Sequence, residues 1–138
     1  MSSAEKQRHE YFDQRHFDLL VYGATGTVGH LVCEYIHCNY GDIKWAIAGR
    51  NDKELHDLIN EELHLDSNLP RFVVEAHDKV ALKNICTKAK VVINVAGPFL
   101  LTGENIVEAC IDAKTHYVDI TGEPPFMRKM IDRHHSAA

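Results

Sequence analysis

Three glycines near the N-terminus have the spacing of a loop that holds phosphate. Gly23, Gly26 and Gly29 follow an apolar run and open a segment of helical periodicity. The first glycine would allow a tight turn, the second would let a pyrophosphate approach the backbone, and the third would let the helix pack on the strand. Unpaired N–H groups at the helix N-terminus would then attract the phosphates. The pattern predicts a dinucleotide-binding loop, with a purely structural glycine turn as the alternative. The predicted loop comprises Gly23, Ala24, Thr25, Gly26, Thr27, Val28 and Gly29.

Arg50 bears on which dinucleotide is bound. The second predicted strand ends in Gly49, Arg50 and Asn51. NAD sites usually place an acidic residue near this point, where it holds the ribose 2′-hydroxyl. Here no acid ends the strand, and a guanidinium suits a 2′-phosphate by its charge and its fork of donors. We therefore predict a preference for NADP(H), with NAD(H) possible, and the alternative is that Arg50 is a solvated loop cation.

Two further turns are expected at the same edge of the sheet. Residues 96–99, Ala-Gly-Pro-Phe, follow the fourth predicted strand. Ligands of such folds bind outside the carboxyl ends of the strands, where the strand order reverses. Ala96 and Gly97 would let the cofactor pass close to the backbone and Phe99 would wall the ribose or nicotinamide, unless Gly97 and Pro98 only make a turn. Asp78 is predicted to cap a helix and, as a second role, to lie beside the adenine.

The chemistry of proton transfer is not evident in the sequence. Glu123, which follows the fifth predicted strand, is the one candidate for a proton donor. Only its position at this strand end favours that role. Tyr40 and Lys44 match the YxxxK spacing of short-chain reductases. They fall, however, in a turn at the amino end of the second strand, on the far side of the sheet from the glycine loop. We therefore give little weight to a catalytic role for this pair.

The elements that would position these residues alternate between strand and helix. Strands are predicted at 17–22, 44–48, 71–76, 91–95 and 117–120. The alternation predicts an α/β fold, a doubly wound, Rossmann-like three-layer sandwich. Its mostly parallel five-stranded sheet would have the order 3-2-1-4-5. Residues 17–138 would form this domain, and residues 1–16 a flexible N-terminal arm.

Apolar periodicity predicts which face of each helix is buried. The first helix would bury Val28, Leu31, Val32, Tyr35 and Ile36. The second, from Asp52 to about His64, would bury Leu55, Leu58, Ile59 and Leu63. The third would bury Leu82, Ile85, Cys86 and Ala89, and the fourth, from Glu104 to Ala113, Ile106, Val107, Cys110 and Ile111. The last helix, begun by two prolines, would present Phe126, Met127, Met130 and Ile131, part of which could be exposed.

Composition narrows the class of protein. A net charge of −5 without a basic cluster argues against nucleic-acid binding. No apolar run is long enough to span a bilayer, and the polar N-terminus is not a secretory signal. The four cysteines form no CxxC pair, so we expect free thiols in a reducing, cytoplasmic setting. No metal site is predicted, and the adjacent His134 and His135 are interpreted as a solvated helix end.

Several of these segments together resemble a known family. FDLLVYGATGTVG, WAIAGRN, VVINVAGPF, IVEACIDAKTHYVDITGE and PPFMRKM are similar to the N-terminal Rossmann domain of the saccharopine dehydrogenase-like oxidoreductases. That family includes relatives of the mycobacterial trans-acting enoyl reductases. The resemblance assigns the phosphate loop to Gly23, Gly26 and Gly29 and the 2′-phosphate to Arg50. It places residues 97–99 beside the cofactor and residues 121–123 near the nicotinamide.

The chain departs from this family in two ways. Members are usually much longer, with a second α/β domain that shapes the substrate pocket, so this chain resembles a truncated member without catalytic competence. The lysine-pathway saccharopine reductases also carry a different glycine loop, so the family name does not make saccharopine the substrate.

The resemblance implies an NADP(H)-binding domain of an oxidoreductase that, in a full-length parent, moves hydride to or from an unsaturated or imine-type substrate. One alternative is a dinucleotide-sensing or scaffold module without turnover, as in NmrA-like regulators. Another is lipid-droplet or membrane association, which some members show. The apolar segment for it is not in these residues, so we expect this chain not to float with lipid. The last strand's edge or the last helix could support a homo-oligomer.

Overall fold

A computed structural model describes residues 1–6, 14–65 and 68–138 of the chain. The five strands are β1 (Phe17–Tyr22), β2 (Trp45–Gly49), β3 (Arg71–Val73), β4 (Ala89–Asn94) and β5 (His116–Asp119). The helices are α1 (Thr27–Asn39), α2 (Asp52–Asp57, continued by a π-helical turn at Leu58–Glu62), α3 (Lys79–Cys86), α4 (Phe99–Ala113) and α5 (Pro124–His134). Strand and helix therefore alternate as the sequence predicts.

The strands form one sheet in the order β3-β2-β1-β4-β5, which confirms the predicted topology. Every pairing is parallel, so the sheet is wholly rather than mostly parallel. Strand β1 lies at the centre, and its Val21 pairs with Ile47 on one side and Ile93 on the other. Parallel sheets of this kind are covered on both faces, because their crossover connections lay helices across them.

A separate apolar core fills each face of the sheet. On one face, Leu20 and Val92 pack with buried residues of α3 and α4 such as Leu82 and Ile106. On the other face, β1 and β2 pack with buried residues of α1 and α2. Helix α5 lies against α4, where the ring centroids of Phe126 and Phe99 are 5.8 Å apart. The predicted inward residues of α2 (Leu55, Leu58, Ile59 and Leu63) are all buried.

The predicted buried face of α1 was only partly right: Ile36 is buried and Val32 packs partly buried against the core, but three of the other residues are exposed. Val28, Leu31 and Tyr35, expected in the core, are 40%, 58% and 59% exposed. The buried face is Gly29, Cys33 and Ile36. A Cβ on Gly29 would stand 2.1 Å from the carbonyl oxygen of Gly23, so α1 touches the turn after β1 through its glycine. This close approach fixes the rotation of the helix and turns the larger apolar side chains outward.

Other boundaries differ from the prediction in ways that matter for the site. Helix α4 begins at Phe99 rather than Glu104, which adds a first turn beside the end of β4. Ala89, expected on the buried face of α3, is instead the first residue of β4. In α5 only Phe126 is buried, while Met127 and Ile131 are 40% and 54% exposed.

Arg15 ties the segment before β1 to the amino edge of the sheet. Its guanidinium is buried and donates to the carbonyl oxygens of Cys86, Ala89 and Ala113. Residue 15 falls within the predicted flexible arm, of which residues 7–13 lie outside the described part of the chain.

The outer edge of β5 is one of the two predicted places for an oligomer contact, the other being the last helix. Within the described residues β5 pairs only with β4, and an oligomer through its other edge stays a prediction. No helix of the described ranges combines the length and the apolar character needed to cross a bilayer.

Candidate dinucleotide site

A cavity of about 460 Å³ opens at the carboxyl ends of the central strands. It lies where the strand order reverses between β1 and β4, which is the predicted place for a ligand. Seven of the predicted site residues line it: Gly23, Thr25, Gly26, Gly49, Arg50, Ala96 and Gly97. Nine other lining residues were not predicted from the sequence: Tyr22, Glu54, Glu75, Ala76, His77, Val95, Leu101, Thr102 and Asn105.

Eight predicted residues do not line the cavity: Ala24, Thr27, Val28, Gly29, Asn51, Asp78, Pro98 and Phe99. Asp78 accepts a hydrogen bond from the N–H of Ala81 at 2.9 Å, which is the capping role that the sequence favours. Phe99 is buried against Phe126, and the early start of α4 places Leu101 and Thr102 on the cavity instead. Sequence periodicity did not show that α4 begins at Phe99, and these two lining residues were missed for that reason.

The three loop glycines differ in how closely other atoms approach them. Gly23 has φ +86°, and a Cβ there would lie 2.7 Å from the nitrogen of Ala96. A Cβ on Gly29 would clash with the preceding turn, as described above. The nearest atom to a Cβ on Gly26 is 3.5 Å away, which is ordinary contact. The protein's own packing therefore requires the first and third glycines, whereas a Cβ on the second would make only an ordinary contact beside the cavity.

Helix α1 begins without a side-chain cap. Its N-cap is Gly26, and no acidic residue lies in its first turn. By contrast, Asn51 caps α2, Asp78 caps α3, and the carboxylate of Glu123 accepts from the first N–H groups of α4. The uncapped, positive dipole end of α1 thus begins at a residue that lines the cavity, which suits an anion.

The part of the cavity near the end of β2 is lined by both positive and negative side chains. Arg50, at the end of β2, is exposed and forms no ion pair with any described residue. The pKa of Tyr22 is raised to about 12, first by burial and then by the negative charge of Glu75, while Arg50 acts in the opposite direction. Glu54 also lines this end. Arg50 is therefore the one Lys or Arg side chain on the described cavity wall, and it stands among acids.

The residues considered for proton chemistry either cap a helix or lie away from the cavity. Both oxygens of Glu123 accept backbone N–H groups at 2.8 Å, from Phe99 and Leu100, so this carboxylate caps α4. Tyr40 and Lys44 lie before β2, at the amino edge of the sheet and away from the cavity, as expected.

A cluster outside the cavity has the composition of a metal site. Glu104, Glu108 and His134 bring ligand atoms within 4.8 Å of one another. Glu104, however, already pairs with Lys129, with Arg133 at 3.0 Å and with His134 at 3.1 Å. The hydrogen bond from Lys129 is the first cause that lowers the pKa of Glu104 to about 2. Protein cations thus hold this carboxylate.

The cysteines are free thiols, as expected. Cys86 and Cys110 have their sulfurs 3.7 Å apart in the core on the α3 and α4 face of the sheet.

A wholly parallel sheet in this order, with an uncapped helix N-terminus at the reversal point, defines the class of Rossmann-like dinucleotide-binding domains. Residues 19–138 match the family described as the saccharopine dehydrogenase NADP binding domain, and the chain belongs to that family. The resemblance drawn from the sequence is confirmed.

Curated relatives agree with this assignment. The chain is 36% identical over 129 residues to a trans-acting enoyl reductase of Mycobacterium leprae, covering 91% of this chain and 30% of the relative. It is 34% identical over 128 residues to a lipid droplet localized protein of Caenorhabditis elegans, covering 88% of this chain and 30% of the relative. It is 30% identical over 138 residues to a saccharopine dehydrogenase-like oxidoreductase of Mus musculus, covering 91% and 32%. The chain therefore spans less than a third of the length of these relatives.

Solved structures support the fold. Saccharopine dehydrogenase (L-Glu forming) from Saccharomyces cerevisiae, in its apo form, superposes with a TM-score of 0.68 at 23% identity, covering 83% of this chain and 24% of that one. At this identity the likeness concerns the fold alone.

Proposed function

We propose that the cavity binds NADP(H), with the pyrophosphate at the N-terminus of α1. The observation that carries this proposal is the uncapped start of α1 at Gly26, which opens on the cavity while α2, α3 and α4 are capped by side chains. The topology then directs the adenosine half toward β2 and β3 and the nicotinamide half toward β4 and β5.

Arg50 is proposed to hold the 2′-phosphate. A guanidinium binds phosphate through paired, charge-assisted hydrogen bonds. Glu54 and Glu75 lie on the same part of the cavity, so the 2′-phosphate would face two acids if Arg50 were absent. This arrangement makes the preference for NADP(H) over NAD(H) depend on one side chain.

The test is a titration of the chain with NADPH and with NADH, followed by nicotinamide fluorescence. Arg50→Ala should raise the Kd for NADPH roughly 10- to 100-fold, as expected for a lost hydrogen bond to a charged group, and change the Kd for NADH little. Lys53→Ala is the matched control, since Lys53 lies one turn away, pairs with Asp57 and does not line the cavity.

Two results would contradict the proposal. Equal losses for NADPH and NADH in Arg50→Ala would remove the 2′-phosphate role of this residue. Binding of neither dinucleotide by folded wild-type protein would mean that the glycine loop serves the packing of α1 only.

In a longer parent chain we propose that this domain presents the cofactor for hydride transfer to or from an unsaturated or imine-type substrate. The nicotinamide supplies the hydride when it is bound. The groups of this chain bind and orient: backbone N–H groups at α1, Arg50 at the ribose, and Ala96 and Gly97 along the wall. We expect the isolated chain to bind NADPH without oxidising it when enoyl or imine substrates are added, as monitored by nicotinamide absorbance.

A further inference from the structure

A chain of hydrogen bonds joins the end of β4 to the end of β5. Asn94, the last residue of β4, is fully buried, and its Oδ1 accepts from the N–H of Ala96 at 3.0 Å. Its Nδ2 donates to the hydroxyl of Tyr117 at 3.1 Å. That hydroxyl donates in turn to Oδ2 of Asp119 at 2.7 Å. Asn94 and Asp119 are also register partners across the two strands.

The chain of hydrogen bonds continues to the start of α4. Oδ1 of Asp119 accepts from the N–H of Thr121 at 3.0 Å, and the hydroxyl oxygen of Thr121 accepts from the N–H of Glu123 at 3.1 Å. Glu123 then accepts from the first N–H groups of α4, as described above. The network thus holds the turn of residues 95–98 at both ends, at Ala96 and at the start of α4.

Both polar atoms of the Asn94 side chain are paired within this network. Asn94 supplies one acceptor and one donor in a site without access to water, and buried amides of this kind are costly unless paired. The pKa of Tyr117 is raised by burial and then by Asp119, so the hydroxyl keeps its proton and keeps donating. Because the network polarises along its length, a break at one link weakens the others.

We propose that Asn94, Tyr117 and Asp119 are positioning residues for the nicotinamide half of the cofactor, because they fix the backbone at Ala96 and Gly97 on the cavity wall. This inference rests on the proposed NADP(H) site. None of the three residues lines the cavity, so their effect passes through the turn that they hold.

The test compares two ligands that occupy different parts of the cavity. NADPH extends to the wall at Ala96, whereas adenosine 2′,5′-bisphosphate reaches only the half near Arg50. Tyr117→Phe removes one hydroxyl and keeps the ring in the core. Tyr40→Phe is the matched control, since it removes an exposed tyrosine hydroxyl at the amino edge of the sheet. Asp119→Ala is a second variant at a half-buried position, in case Tyr117→Phe does not fold.

Tyr117→Phe should raise the Kd for NADPH roughly two- to tenfold, the range expected for one lost hydrogen bond, with the Kd for adenosine 2′,5′-bisphosphate unchanged. Tyr40→Phe should change neither. Equal weakening of both ligands, or of neither, would overturn the positioning role while leaving the proposed site intact. If folded wild-type protein bound neither ligand, the proposed function would fail and this role with it.

A measurement without ligand tests the same network. The N–H of Ala96 donates to Asn94, so its hydrogen exchange, followed by NMR, should be slow in the wild type and in Tyr40→Phe. Tyr117→Phe or Asp119→Ala should accelerate exchange at Ala96 more than at the centre of β1. Unchanged protection at Ala96 in both variants would show that the network does not hold the turn.

Discussion

At the scale of single residues, two of the three loop glycines are required by the protein's own atoms. Gly23 needs its positive φ, and Gly29 sits against the backbone of the turn before it. A glycine triplet is therefore poor evidence of a ligand by itself. Gly26 lines the cavity and its glycine is not required by packing, so it is the loop position that best supports the proposed phosphate site.

Substitutions at Gly29 and Gly26 should separate these roles. In Gly29→Ala the new Cβ meets backbone 2.1 Å away, which cannot move without shifting α1, so we expect a loss of roughly 1–3 kcal/mol or more in unfolding free energy. Gly26→Ala should cost less than about 1 kcal/mol, the size of an N-cap effect, yet strongly weaken NADPH binding. Urea unfolding and NADPH titration measure the two effects. Full NADPH binding by Gly26→Ala would contradict the assignment of the phosphate to this position.

Glu104 should make the stability of the domain sensitive to acid. Its pKa in the folded protein is lowered from 4.5 to about 2, chiefly by Lys129 and then by Arg133 and His134. A carboxylate with a lowered folded-state pKa stabilises above its unfolded pKa and loses that contribution as pH falls. Because its partners are partly exposed, we expect Glu104→Gln to cost about 1 kcal/mol at neutral pH.

The difference between wild type and Glu104→Gln should shrink as pH falls from about 4.5 toward 2. Urea unfolding at several pH values measures it. Asp112→Asn is the control, because Asp112 makes a looser pair with Lys83 at 3.5 Å. A difference that does not depend on pH over this interval would show that the Glu104 cluster acts by packing rather than by charge.

At the scale of elements, the orientation of α1 shows that hydrophobic periodicity does not by itself predict which face of a helix is buried. Hydrophobicity marks Val28, Leu31 and Tyr35 as a stripe, but the contact with the sheet turn is made by Gly29, which no hydrophobic scale ranks highly. The strength of a helix–strand contact depends on how closely the backbones approach, and that depends on the partner turn. The sequence of α1 alone did not show it.

A pair of truncations on α1 should confirm its orientation. Leu31→Ala removes a side chain that is 58% exposed and should change the free energy of unfolding by no more than about 0.5 kcal/mol. Ile36→Ala removes a side chain that is 4% exposed and should cost about 2–4 kcal/mol. Chemical unfolding of both variants measures the difference. Similar costs would indicate that α1 packs with its apolar stripe inward after all.

The cap of α3 was predicted because it is local, whereas the cap of α4 was not because its residue is distant in the sequence. Asp78 lies next to the helix that it caps, so its side chain could be assigned from the sequence. Glu123 caps α4 from the far side of β5, across 24 residues, and its role appears only when both strand ends meet at one edge. The hydrogen bond between Asn94 and Tyr117 was not predicted for the same reason, because each looks like an ordinary strand residue in the sequence.

At the scale of the whole molecule, the sheet order was the most predictable feature. Five apolar runs alternate with helices, and right-handed crossovers leave few arrangements for such a chain. The reversal point follows from that order, and with it the location of the cavity. The cavity wall was harder to predict, since much of it comes from the first turns of α4 and from residues after β3.

The buried Arg15 has a consequence for where the folding unit begins. One guanidinium joins the end of α3, the start of β4 and the end of α4 through their carbonyl oxygens. The family match begins four residues later, at residue 19. A boundary drawn by sequence similarity would therefore discard the cation that neutralises these carbonyl dipoles, so the folding unit begins before the residue that similarity marks.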